Sequence, residues 1–88
     1  MHLYLVSRRR AWLSEEELAA TADCTPAVLG MFDGDVRWVR SYVFMEVDGA
    51  YSADCVYEAT SVERLEAFFD AMMLPTDEIR HVDRYAAA

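Results

Sequence analysis

The spacing of hydrophobic and polar positions changes several times along the chain, and each change marks an element. Leu3-Tyr4-Leu5-Val6 is a short aromatic and aliphatic run that predicts a first strand. Ser14 followed by Glu17 forms a capping box, with Leu13 and Leu18 at the places of a hydrophobic staple, so a helix starts there. Leu18, Ala22, Leu29 and Phe32 keep helical spacing, Pro26 predicts a kink or break near Thr25, and Gly34 ends the stretch. Val36 to Met45 and Tyr51 to Ala59 then read as strands on either side of Asp48-Gly49, a strong hairpin signal because both residues tolerate positive φ. Thr60 and Glu63 make a second capping box. Leu65, Phe68, Phe69 and Met72 follow at i, i+3, i+4 and i+7, the stripe of an amphipathic helix that Pro75 stops. Residues 79–85 supply a last strand.

The order β-α-β-β-α-β, with short links and right-handed crossovers, implies one α+β domain over residues 1–88. It predicts a ferredoxin-like sandwich, in which two helices cover one face of a four-stranded antiparallel sheet. The other face has no cover within the chain.

A two-residue turn at Asp48-Gly49 sets Val47 opposite Ala50. It then pairs Phe44 with Ala53, Tyr42 with Cys55, Arg40 with Tyr57 and Trp38 with Ala59. Those side chains share one surface, and Val39, Ser41, Val43, Val56, Asp54 and Glu58 share the other. A four-residue loop keeps this parity and an odd-length loop reverses it. On this reading the aromatic surface is the open one, and it either packs against a second copy or lines an enclosed pocket. Trp, Tyr and Arg are the residues that interfaces favour. Arg40 opposite Tyr57 makes a cation–π pair or anchors an anionic, enol-like ligand. Tyr42 beside Cys55 offers a hydroxyl donor. No base stands near Cys55 to make it a nucleophile.

Composition narrows the classes. With 16 acidic and 8 basic residues the net charge is −8, which disfavours nucleic acid and anionic membrane surfaces as partners. The Arg8-Arg9-Arg10 triplet therefore reads as a solvated strand end. Cys24 and Cys55 are too few for a disulfide framework and are not spaced for zinc, so free thiols in a cytoplasmic protein are expected. No stretch approaches the ~20 apolar residues of a membrane span. A hydrophobic share of 55% exceeds what a chain of 88 residues readily hides, which predicts a homodimer. His2 and His81 are the sole imidazoles, on the first and last strands, which are neighbours in this fold. Two imidazoles alone do not make a metal site.

"VRWVRSYV" and "CVYEA", with "LSEEEL" before them and a Leu74-Pro75 closure followed by "DEIRHV", carry a resemblance. The chain resembles small bacterial ferredoxin-like domains of largely unassigned function whose characterised example binds nickel. The matching positions are Val36, Trp38, Val39, Ser41, Tyr42 and Val43, then Cys55, Val56 and Tyr57. The resemblance covers nearly the whole chain and implies an α+β domain that pairs into a dimeric barrel, with nickel or another transition metal as the implied ligand. The chain departs from that family's pattern at Ser7, where the family has a glutamate, and at Phe68, where it has a histidine. Met72-Met73 replaces a Gly-Gly pair. Those exchanges remove metal donors and make a cavity more apolar, which suits an organic molecule better than a hydrated ion.

The expectation is therefore a homodimeric α+β barrel without a cofactor, binding a small aromatic or polyketide-like molecule. Its chemistry would be proton transfer of the isomerase or cyclase kind, by analogy with other barrels of this fold. Trp38, Phe44, Cys55 and Phe68 would shape the pocket. Arg40 would stabilise developing negative charge. Tyr42 and Tyr57 would donate or relay a proton, with Asp54 or Glu58 as bases if the hairpin parity is reversed. The rivals are a nickel-binding or metal-responsive protein and a non-catalytic dimeric interaction module.

Overall fold

The computed structural model describes residues 1–86. Its elements run β1 (His2–Trp12), α1 (Glu15–Gly30), β2 (Val36–Met45), β3 (Tyr51–Ala59), α2 (Val62–Met72) and β4 (Glu78–Val82). The strands form one sheet in the order β2-β3-β1-β4, every neighbouring pair antiparallel. This is the ferredoxin-like α+β sandwich that the periodicity predicts.

The helix entries follow their caps. Ser14 accepts from the Glu17 amide at 3.2 Å, and the Glu17 carboxylate accepts from the Leu13 amide at 3.2 Å. Leu13, the expected staple partner, is exposed. The cap of α2 is Ser61, which accepts from the Arg64 amide, rather than Thr60; the Thr60 amide is instead held by the Asp35 carbonyl. The helix α1 runs through Pro26 without ending there. Pro26 removes one donor, toward the carbonyl of Ala22, an exposed residue where water can replace it. The helix stops at Gly30, short of Gly34, which serves instead as a turn residue at φ +81°.

The hairpin departs from expectation in a way that reorders the sheet. The strands close on Met45 opposite Tyr51, and Glu46 donates to the Ala50 carbonyl at 2.7 Å. Between them residues 47–49 make a three-residue turn, with the Gly49 amide on the Glu46 carbonyl and Gly49 in the left-handed region at φ +88°. Asp48 fastens it by accepting from the Ala50 amide at 3.1 Å. An odd loop reverses the parity of the strands. Tyr42 therefore faces Asp54, Ser41 faces Cys55 and Phe44 faces Ser52. A bulge at Val39 then shifts the pairing by one, leaving Trp38 opposite Tyr57 and Arg40 opposite Val56.

The core consequently lies where an open face was expected. Ala53, Cys55, Tyr57 and Ala59 of β3 are buried with Tyr4 and Val6 of β1 beneath Leu65, Phe68 and Phe69 of α2. Of the surface expected to carry Trp38, Arg40, Tyr42, Phe44, Cys55 and Tyr57 together, only Arg40, Tyr42 and Phe44 are on the open side. The first strand is also longer than its apolar run, continuing through the arginine triplet to Trp12 with an irregularity between Arg8 and Trp12.

Candidate functional site

The helical layer is uneven. The stripe of α2 is buried, whereas Thr25 is the one buried residue of α1, with Leu18, Val28 and Leu29 only partly covered. Helix α1 thus stands off the sheet over a cleft of about 220 Å³. Leu18, Thr21, Ala22 and Thr25 form its roof, Arg8, Cys55 and Tyr57 its floor, and Trp38, Ser41 and Val43 the β2 wall, with Trp12 and Leu74 completing it. The indole N–H groups are turned to local partners: Trp12 donates to Thr21 at 2.8 Å and Trp38 to Ser41 at 2.9 Å. Both rings line the cleft with their N–H groups already satisfied.

Arg8 is the unexpected member. It is 1% exposed, although its triplet reads as a solvated strand end; Arg9 and Arg10 are exposed as expected, and Arg10 pairs with Asp48. Its guanidinium lies 4.2 Å from the Phe69 ring centroid and 5.8 Å from that of Tyr57. It donates to the Tyr57 hydroxyl at 3.3 Å and to the Thr76 hydroxyl at 3.1 Å. Its Nε has no partner. Among the described residues the ion pairs belong to Arg10, Arg37, Arg64, Arg80 and Arg84, so no carboxylate neutralises Arg8. The strand period was the signal: Tyr4, Val6 and Arg8 fall on one side of β1.

Burial pushes the Tyr57 hydroxyl up to about 12, with the nearby Arg8 charge pulling the other way. Tyr57 is thus a neutral hydroxyl at physiological pH. It accepts from Arg8, and the Cys55 thiol beside it also favours the protonated form. The cation over its ring is Arg8, not Arg40 as the sequence register implied. Phe68, expected at the pocket wall, is fully buried in the core between Phe32, Tyr57 and Phe69 and does not line the cleft.

The open face forms a second, shallower hollow of about 440 Å³, in which Arg40 and Tyr42 border Leu3, Leu5, Val56 and Val82. Arg40 donates to the Tyr42 hydroxyl at 3.4 Å, and that bond favours its charged form. Asp54, opposite Tyr42, accepts from the Ser7 hydroxyl at 3.2 Å, and Glu58 pairs with Arg37 at 3.8 Å. The sheet thus separates Arg40 and Tyr42 from Tyr57 within a protomer, so the expected catalytic trio does not converge on one ligand there. His2 and His81 do approach, with ring centroids 5.3 Å apart. Among the described residues no group of three or more His, Cys, Asp and Glu is placed to hold a metal ion, so this pair lacks the further donors a nickel site needs. No described helix is long and apolar enough to cross a membrane.

No family model matches the chain, and no curated protein matches it significantly. Among solved structures it is similar to SCO4226 from Streptomyces coelicolor A3(2), at 18% identity and a TM-score of 0.72. The match covers 96% of this chain and 99% of that one. Similarity at that identity shows the fold.

Proposed function

We propose that this chain binds a small apolar organic molecule in the cleft under α1 and works as a homodimer through its open sheet face. The observation that carries the binding reading is the stand-off of α1 itself. A helix of 16 residues with one buried side chain leaves apolar sheet surface and two indoles around a space instead of filling it. A further function of proton transfer finds less support in the lining. Tyr57 is a proton donor, but no carboxylate or imidazole lines the cleft to act as a base.

The dimer reading rests on the charge pattern of the open face. The register sets Arg37, Arg40 and Arg80 beside Glu58, Val56 and Leu5, with Asp54 and Glu78 flanking Ser7. Three arginines thus balance three carboxylates around an apolar stripe of Leu3, Leu5, Val56 and Val82. A chain of net charge −8 repels its own copy elsewhere, whereas this neutral, self-complementary patch fits a two-fold partner. The unpaired thiols of Cys24 and Cys55 support a reducing, cytoplasmic setting.

The binding reading is tested by NMR titration with naphthalene-based fragments, neutral and charged. Ligands are expected to shift the indole N–H signals of Trp12 and Trp38, and Leu18→Trp, which fills the cleft, is expected to abolish the shift. Fragments that leave both indoles untouched at millimolar concentration would refute a ligand cleft here. For the dimer, sedimentation of Leu5→Asp/Val56→Asp against the unaltered chain is decisive. A parent that sediments as a monomer removes the open-face interface.

A further inference from the structure

We infer that the cleft ligand carries a carboxylate, which Arg8 receives at the cleft floor. This rests on the reading that the cleft is a ligand site. An arginine 1% exposed and without a counter-carboxylate is a costly arrangement, since removing a charge from water is repaid only by an opposite charge and by full use of its donors. Here the partners are two neutral hydroxyls and two aromatic rings, and Nε has none. None of the residues that line the cleft is acidic, so no side-chain carboxylate competes there for Arg8.

The lining also narrows the kind of anion. A planar guanidinium matches a carboxylate in two-point contact, and the neutral Tyr57 hydroxyl stands beside it. A phosphate dianion would lose its hydration against walls that are mostly carbon, with few donors to replace it. A cleft of about 220 Å³ is below the ~300–1,000 Å³ of drug-sized sites and takes a compact molecule of one or two rings. The inferred ligand is accordingly a small aromatic or alicyclic monocarboxylate, its ring between the indole-lined walls and its charge on Arg8.

The probes are 2-naphthoate and its neutral analogue 2-naphthamide, titrated at neutral pH by NMR and calorimetry against the parent, Arg8→Met and Arg8→Lys. The parent is expected to bind the carboxylate about tenfold or more tightly than the amide, as a charge-assisted hydrogen bond in a dry site would give. The carboxylate, and not the amide, should shift the Arg8 Nε–H resonance. Arg8→Met is expected to bind the two probes equally, and Arg8→Lys to keep part of the preference, since the charge survives but the planar fork does not. Equal affinity of the parent for both probes overturns the carboxylate site and leaves the binding reading standing. Failure of both probes to reach Trp12 and Trp38 overturns both. Should Arg8→Met not fold, the Nε–H shift in the parent and the behaviour of Arg8→Lys decide.

Discussion

The two helices lie on the same side of the same sheet and do opposite things with it. The shorter helix, α2, presents Leu65, Phe68 and Phe69 to β1 and β3 and buries all three. The longer helix, α1, opens with Glu15, Glu16 and Glu17, continues through small residues and a proline, and buries Thr25 alone. Apolar burial stabilises by roughly 25 cal/mol per Å², so α2 anchors the sandwich while α1 is held by its Ser14 cap and a few partial contacts. A helix without a continuous apolar stripe, laid over a sheet face, leaves room underneath. That room is where the two indoles, a buried guanidinium and a phenol meet.

The sharpest way to break this contrast is to truncate one side chain from each helix. Phe68→Ala is expected to cost about 3–5 kcal/mol, because a fully packed ring is removed. Leu18→Ala, at the roof of the cleft, is expected to cost about 1 kcal/mol, because its side chain is only partly covered. Urea unfolding measures both, and equal costs would show α1 to be packed as tightly as α2.

The next effect concerns the cleft floor. Tyr57 has its usual value of 10.0 in the unfolded chain and about 12 in the fold. Below pH 10 the hydroxyl is protonated in both states and its contribution is complete. As pH rises toward 12 the unfolded chain ionises first, so stability falls, by at most about 2–3 kcal/mol. Tyr57→Phe is expected to flatten that decline in a pH series of denaturation curves.

A smaller change is expected at the end of α2, where Met73 is exposed and held at φ +55°. Met73→Gly removes that strain and should stabilise by about 1 kcal/mol, raising the melting temperature by about 4–8 °C. The same substitution at an α1 position of ordinary helical φ, such as Ala19, should lower it. Last, calorimetric titration with nickel is expected to show no uptake tighter than micromolar, since His2 and His81 stand without further donors among the described residues. Stoichiometric tight binding would restore the metal reading that the family resemblance implies.

Much of the architecture was legible in the chain because it is written in local periods. The bounds of β2 and β3, the Ser14 cap and the buried stripe of α2 follow from residues close in sequence. The assignment of faces does not. It turns on whether Glu46 pairs with Ala50 or Val47 does, and on one bulge at Val39, and a slip of one residue sends every side chain of a strand to the opposite surface. Hence Arg40 and Tyr42 were correctly placed on the open side, while Cys55 and Tyr57 belong beneath the helices. Arg8 was legible in part, since it shares the side of Tyr4 and Val6, but its neighbours in the triplet masked it.

By itself, then, the sequence settled the element order, the sandwich and the acidic net charge, because these depend on composition and on short-range spacing. Tertiary structure alone decided which side of the hairpin is core, that α1 stands clear of the sheet, and that Arg8 is sealed from water without a carboxylate. Each of those is set by contacts between residues tens of positions apart, whose geometry depends on a single turn and a single bulge, and no local pattern encodes it.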